Sequence, residues 1–345
     1  MKILIIRRDN IGDLILTTPL ISALAKATGN KIDILVNTYN KDVLINNPYI
    51  GKIHLYSKLH HRAKNQSALS VIFQRIKTTF NIRRERYDVA IIARESWNKR
   101  TMPWAQLSQA KRIIAIGKNG HEAITDLIVK TDDKIHIVEL LAKLAIPLGV
   151  DAVPGPLELY PSPEEIRKVM SSIVIPTGIP IFGMQISSRK PMQRWQADKF
   201  IQLAKKLTEH EKCHLMLLWS PGSADNKLHP GDDEQAEYIM QHCADLPITA
   251  VKTLNIRELI AAMSQCDQIL TSDGGALHVA VGVGKPVVAL FGNSDAWFWG
   301  PWRVPHELIE APDKNVGLIT VEEVMSRFIA LRHRTTSQHD LTENF

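Results

Sequence analysis

"CDQILTSDGGALHVAVGVGKPVVALFG", residues 266–292, carries the pattern from which the fold follows. The segment DQILTS reads as a strand ending near Thr271. The chain then turns through Asp273, Gly274 and Gly275, and a short helix begins around Ala276. Gly284 and Pro286 close that helix, and KPVVALF opens another strand. Strand, helix and strand in so short a span make a crossover unit of a parallel sheet.

The same order recurs along the chain, with strands expected at KILIIRR, KIDILVN, YDVAIIA, KRIIAIG, PIFGMQ and HLMLLWS and helical spacing between several of them. The fold class is α/β. At 345 residues the chain suits two domains of roughly 150 residues each. Five prolines in PLGVDAVPGPLELYPSPEE, residues 147–165, disfavour a continuous helix or central strand and mark the linker. The expected division is a first domain over 1–155 and a second over 156–320. A terminal amphipathic helix follows over 321–334, and a polar tail over 335–345 is expected to be flexible. Two such domains would face one another across a cleft.

With 45% hydrophobic and 23% charged residues the composition is that of a soluble globular protein. The opening MKILIIRRDNIGD has a short apolar run followed by charge, so it reads as a first strand rather than a signal peptide, and a cytoplasmic location is expected. Cys213, Cys243 and Cys266 are odd in number and lack C-x-x-C spacing, so they read as reduced core thiols. The net charge of +6 points to an anionic partner: a phosphate-bearing ligand, nucleic acid or an anionic membrane. No G-x-G-x-x-G or G-x-x-x-x-G-K-[ST] loop is present, which disfavours dehydrogenases and P-loop enzymes. Metal-ligand spacing is also missing, and the carboxylate pair Asp232-Asp233 falls in a polar loop.

Five stretches hold candidate chemistry. In TSDGGALH the glycines and the amides of a new helix suit a diphosphate, with His278 a turn further on; Asp273 as an N-cap and His278 as a buried core histidine is the equal alternative. In RRDNIGDLILTTP, Asp13 stands after a strand's carboxyl end as a general base or a helix cap. FGNSDAWFWGPW offers Ser294, and its aromatics either stack on a sugar or pack an irregular loop. ISSRKPMQRW brings Ser187, Ser188 and Arg194 between a strand and a helix, where hydroxyls and cations suit a leaving diphosphate. Residues 58–86 hold eight Lys or Arg and one acid, with Leu69, Ile72, Phe73, Ile76 and Phe80 at helical spacing. That segment reads either as a helix packed on the sheet with a basic outer face or as an interfacial helix.

Taken together, RRDNIGDLILTTP, QRW and SDGGALHVAVGVGKPVVALFGNSD resemble the lipopolysaccharide heptosyltransferases, glycosyltransferase family 9, over most of residues 1–330. The resemblance implies a GT-B architecture of two Rossmann-like domains, with the C-terminal helix crossing back to the first. It also implies inverting transfer of heptose from ADP-heptose to the inner core of lipopolysaccharide, without metal or cofactor. Asp13 matches the base, and Ser187 and Ser188 match hydroxyls on the donor diphosphate. Leu254 matches an apolar position against adenine, while Asp273, Gly274, Gly275, His278 and Ser294 match the donor loops. The basic stretch, with Arg62, Lys64, Arg75 and Lys77, would meet the acceptor at the inner membrane face. Nucleic acid is not an expected partner. Two positions depart from the pattern: Gln193 replaces a lysine, leaving Arg194 to supply the charge, and Gly274 replaces a hydroxyl residue. A nucleotide-sugar epimerase and a catalytically silent sugar-nucleotide binder are the rival readings.

Overall fold

The computed structural model describes residues 1–56, 68–131, 133–151, 153–171, 173, 175, 178–226 and 230–342. Arg62 and Lys64 therefore lie outside the described residues. The chain divides into two compact units, Met1–Glu158 and Leu159–Phe345.

The first unit contains β1 (Ile3–Ile6), α1 (Ile11–Ile15), α2 (Thr18–Thr28), β2 (Ile32–Asn37), β3 (Ile50–Tyr56) and α3 (Ala68–Glu85). It continues with β4 (Val89–Ile92), α4 (Met102–Leu107), β5 (Arg112–Gly117), β6 (Asp126–Val129) and α5 (Ile137–Ala142). Its strands form one parallel sheet in the order β3-β2-β1-β4-β5-β6. Every residue of β1, β2 and β4 is buried, as strands covered on both faces must be. Residues Ile11–Thr28 are long and apolar enough to cross a membrane by length and composition, but 67% of that window is buried and the chain breaks it into α1 and α2. It is a core segment of this unit.

The second unit contains α6 (Pro163–Met170), β7 (Ile181–Gln185), α7 (Ala197–His210), β8 (His214–Trp219), α8 (Asp233–His242), β9 (Ile248–Lys252) and α9 (Ile256–Ser264). It ends with β10 (Gln268–Ser272), α10 (Gly275–Gly282), β11 (Val287–Phe291), α11 (Ala296–Trp299), β12 (His306–Glu310) and α12 (Val321–Thr342). The sheet order is β12-β11-β10-β7-β8-β9, again all parallel. Read from the first strand of each unit, the two orders are the same doubly wound one. Its direction of winding reverses between β1 and β4 in one sheet and between β7 and β10 in the other.

Three expectations about elements change, the first being that the terminal helix, expected to cross back to the first unit, has its buried residues in the core of the second. The terminal helix continues to Thr342, through residues expected to be a flexible tail. Its Val324, Phe328 and Leu331 are buried in the core of the second unit, where Phe328 meets Phe182 edge-on and its carbonyl accepts from the Gln268 side chain at 2.8 Å. The helix α3 is also turned differently from the packed reading. Thr78 and Ile82 face inward, whereas Ile72, Phe73, Ile76 and Phe80 are 49%, 70%, 62% and 65% exposed. Their spacing was helical because they share a face, but that face is the outer one.

Candidate active site

In doubly wound sheets ligands collect at the carboxyl ends of strands, where the winding reverses. In the second unit this point lies between β7 and β10, and the expected donor residues leave from it. Ser187 and Ser188 follow β7 by two and three residues, and Asp273, Gly274 and Gly275 follow β10 directly. The two hydroxyls differ. Ser187 Oγ accepts from the Ser220 amide at 2.8 Å and lies near enough to the Asp232 carboxylate to favour its charged form. Ser188 Oγ is buried with no partner among the described residues, so it is the hydroxyl left for a ligand.

Asp273 does not cap α10. The N-cap is Gly274, and the Asp273 carboxylate accepts from Gln193 Nε2 at 2.6 Å. The same Gln193 nitrogen donates to Ser294 Oγ at 3.1 Å, so three of the expected residues meet. Gly274 has φ 151°, a conformation that L side chains rarely adopt, and a Cβ built there would meet nothing within 4 Å. The hydroxyl residue expected at this place is therefore disfavoured by the backbone rather than by lack of room. No side chain caps α10. His278, in its first turn, is 4% exposed. Close approach also places Ser294: a Cβ on Gly292 would lie 2.9 Å from the Met192 carbonyl, beside Gln193.

Trp195 sets the direction of this turn. It is 1% exposed, packs edge-on to Phe200 and donates from Nε1 to the Ile319 carbonyl at 3.0 Å. Arg194, just before it, donates to Asp232 at 2.6 Å. Asp232 was read as a loop carboxylate, but its side chain is fully buried, and burial raises its pKa against the lowering effects of Ser187 and Arg194. The residue was missed because a D-D pair in a polar stretch shows no sign of burial. The Arg194 Nη2 atom remains buried without a partner. Leu254, after β9, is exposed, and its amide donates to Glu258 at 2.8 Å. Among the loop aromatics, Phe298 is buried between Trp297 and Trp299, which is packing, whereas Trp297 is exposed.

In the first unit the corresponding point lies between β1 and β4. Asp13 occupies the third position of α1 and closes a capping box, its Oδ2 accepting from the Asn10 amide at 2.8 Å. Its Oδ1 accepts from Arg7 Nη2 at 3.0 Å. Capping and a role in chemistry are thus compatible: the box and the buried Arg7 hold the carboxylate in one orientation. Arg7 also faces Asp9 at 3.4 Å, and Asp9 pairs with Arg94, which follows β4. Of the basic residues expected at the acceptor, Arg75 reaches the Tyr56 hydroxyl at 3.1 Å, and Lys77 is exposed on α3. His136, in the segment KIHIVEL, caps α5 through a box with Glu139. Among the described residues no group of three His, Cys, Asp or Glu side chains could hold a metal ion.

Two doubly wound, Rossmann-like units with polar clusters at their reversal points make up the GT-B fold class. The structure is similar to that of a family 9 glycosyl transferase from Veillonella parvula, with TM-score 0.79, 21% identity and 96% of each chain covered. It is also similar to the Escherichia coli heptosyltransferase WaaC solved with ADP-2-deoxy-2-fluoro heptose, with TM-score 0.74, 15% identity and coverage of 96% and 99%. In sequence, lipopolysaccharide heptosyltransferase 3 of Escherichia coli is 26% identical over 302 residues, 84% of this chain and 83% of its own. The family model described as glycosyltransferase family 9 (heptosyltransferase) matches residues 75–316, and the chain belongs to that family.

Proposed function

We propose that the chain transfers heptose from ADP-heptose to a phosphorylated, lipid-linked inner-core acceptor of lipopolysaccharide, with inversion and without a metal ion. The observation that carries this reading is the Gln193–Asp273–Ser294 cluster, with the unpartnered Ser188 hydroxyl and the uncapped start of α10 beside it at the reversal point of the second sheet. Free amides and hydroxyls of this kind suit a diphosphate. The names of the relatives supply the sugar.

Asp13 takes the proton of the acceptor hydroxyl as that oxygen attacks the anomeric carbon. The bond from that carbon to the diphosphate breaks as the new one forms, and ADP leaves. Ser188, the first amides of α10 and the Arg194 guanidinium hold the charge that develops on the departing phosphate. The acceptor lies at the cytoplasmic face of the inner membrane, and α3 gives the protein a means of resting there. Its stripe of Ile72, Phe73, Ile76 and Phe80 is flanked by the exposed Lys77, Arg83 and Arg84, a combination that suits an anionic bilayer.

Incubation with ADP-heptose, with and without heptose-acceptor core lipid, tests the reading. Acceptor-dependent ADP release with a heptose gain in acceptor mass is expected. Isomerised donor would favour an epimerase, and binding without any product would sink the claim of catalysis. In Asp13→Asn, turnover is expected to fall about 10²–10⁴-fold in a folded protein. Near-normal turnover would remove Asp13 as the base.

A further inference from the structure

The first unit holds a cavity of about 770 Å³ that the transfer chemistry has not used. Arg8, Arg75, Arg94, Lys99 and Arg100 line it, against the single carboxylate of Asp9. Asp9 is already committed to Arg94 and faces Arg7. Arg8 is the unusual member. It is 9% exposed, its Nη1 donates to the Arg100 carbonyl, and its Nε has no partner among the described residues. The Tyr56 ring lies 3.6 Å from its guanidinium carbon, and the Arg75 guanidinium carbon is 4.9 Å from the same ring. Arg8, Lys99 and Arg100 form no ion pair with the described residues.

A buried guanidinium that meets a carbonyl and aromatic faces, with Asp9 attracting it from beyond ion-pair distance, is costly to desolvate unless a further anion completes it. Arginine pairs such as this one fit the forked oxygens of a phosphate. The cavity is far larger than one phosphate needs, and Tyr56 and Trp104, 5.5 Å apart and edge-on, add apolar lining beside the cations against which the CH groups of a sugar fit. Arg7 connects this cavity to the site of transfer, since its guanidinium touches both Asp9 and Asp13.

We infer that this cavity binds a sugar phosphomonoester, its phosphate on Arg8 with Arg75, Lys99 and Arg100 and its sugar against Tyr56 and Trp104. The inference deepens the proposed function, because it makes the phosphate on the acceptor the group that is recognised beside Asp13. It is tested without donor, so its outcome is separate from that of transfer.

Calorimetric titration of the full chain with glucose 6-phosphate, inorganic phosphate and glucose gives the answer. Glucose 6-phosphate is expected to bind, inorganic phosphate several-fold more weakly, and glucose not measurably. Arg8→Gln is expected to weaken glucose 6-phosphate binding about tenfold or more, the worth of a charge-assisted contact. Lys99→Gln with Arg100→Gln, at the exposed rim, is expected to weaken it about three- to tenfold without disturbing the fold. The double variant keeps the test open if Arg8→Gln fails to fold. Absence of glucose 6-phosphate binding, equal affinity for glucose, or an unchanged affinity in the folded variants would overturn the inference. Equal affinity for inorganic phosphate and glucose 6-phosphate would overturn the sugar contact. Sugar-phosphate binding in a protein that never releases ADP would leave this site standing and remove the transferase reading.

Discussion

Gln193 gives one amide nitrogen to both Asp273 and Ser294, and in doing so ties two loops together without a charge. Arg194, one residue later, is held by Asp232, and in the proposed reaction it is the cation facing the leaving phosphate. This arrangement changes what a substitution reports. Arg194→Ala removes the cation but also strands a buried carboxylate, so it is expected to lose about 1–3 kcal/mol of stability along with turnover. Adding Asp232→Asn is expected to restore the unfolding midpoint while turnover stays at least about tenfold down, because the lost charge acted on the leaving group. Chemical denaturation and steady-state rates separate the two effects. If the double variant regained the rate, Arg194 would have only a packing role. At Gly274, substitution by Thr is expected to cost about 1–3 kcal/mol, because φ 151° strains any side chain there.

The elements show where the sequence was readable and where it was not. The eight strands expected from apolar runs are β1, β2, β4, β5, β7, β8, β10 and β11, the interior strands of the two sheets. The four that escaped, β3, β6, β9 and β12, are the sheet edges. Edge strands have one neighbour and a partly wet face, so IGKIHLY, DLIV, ITAVK and HELIE each include exposed positions and lack the fully buried apolar run of an interior strand. In α3 the period announced a helix but not its orientation, because periodicity reports that residues share a face and never which side that face meets. The site was partly legible in the same way. Asp273, Gly274, Gly275 and Ser294 belong to short-range motifs, whereas Asp232, Arg8 and Tyr56 join the candidate clusters through contacts between residues far apart in sequence. The exposed face of α3 makes its own prediction. Phe73→Ser with Phe80→Ser is expected to lower sedimentation with anionic vesicles about tenfold or more while leaving the unfolding midpoint nearly unchanged, since neither side chain is buried. Undiminished sedimentation would remove α3 from the membrane.

At the scale of the molecule, each unit has its own core and its own ties. In the second, Glu165 on α6 bonds the Arg257 guanidinium on α9 at 2.6 and 2.7 Å. That pairing holds the carboxyl well below its ordinary value of 4.5, at about 2. A carboxyl pKa depressed on folding adds stability above the unfolded value and loses it as the pH falls towards the folded one. Glu165→Gln is therefore expected to cost about 1–2 kcal/mol at pH 7, with wild type and variant converging between pH 4.5 and 2. Denaturant midpoints measured across that range decide it, and a difference that persisted at pH 2 would mean the loss was one of shape rather than charge.

The three cysteines lie inside the second unit, and burial pushes the Cys213 thiol up to about 11 and the Cys266 thiol to about 12. At pH 8 scarcely any thiolate is present on either, so maleimides and disulfide reagents have little to attack while the fold holds. The wild-type chain is therefore a quiet background for reporter chemistry. A single cysteine placed on the outer face of α3, as in Phe73→Cys, would take a fluorophore or spin label alone and report the polarity of whatever that face touches during turnover.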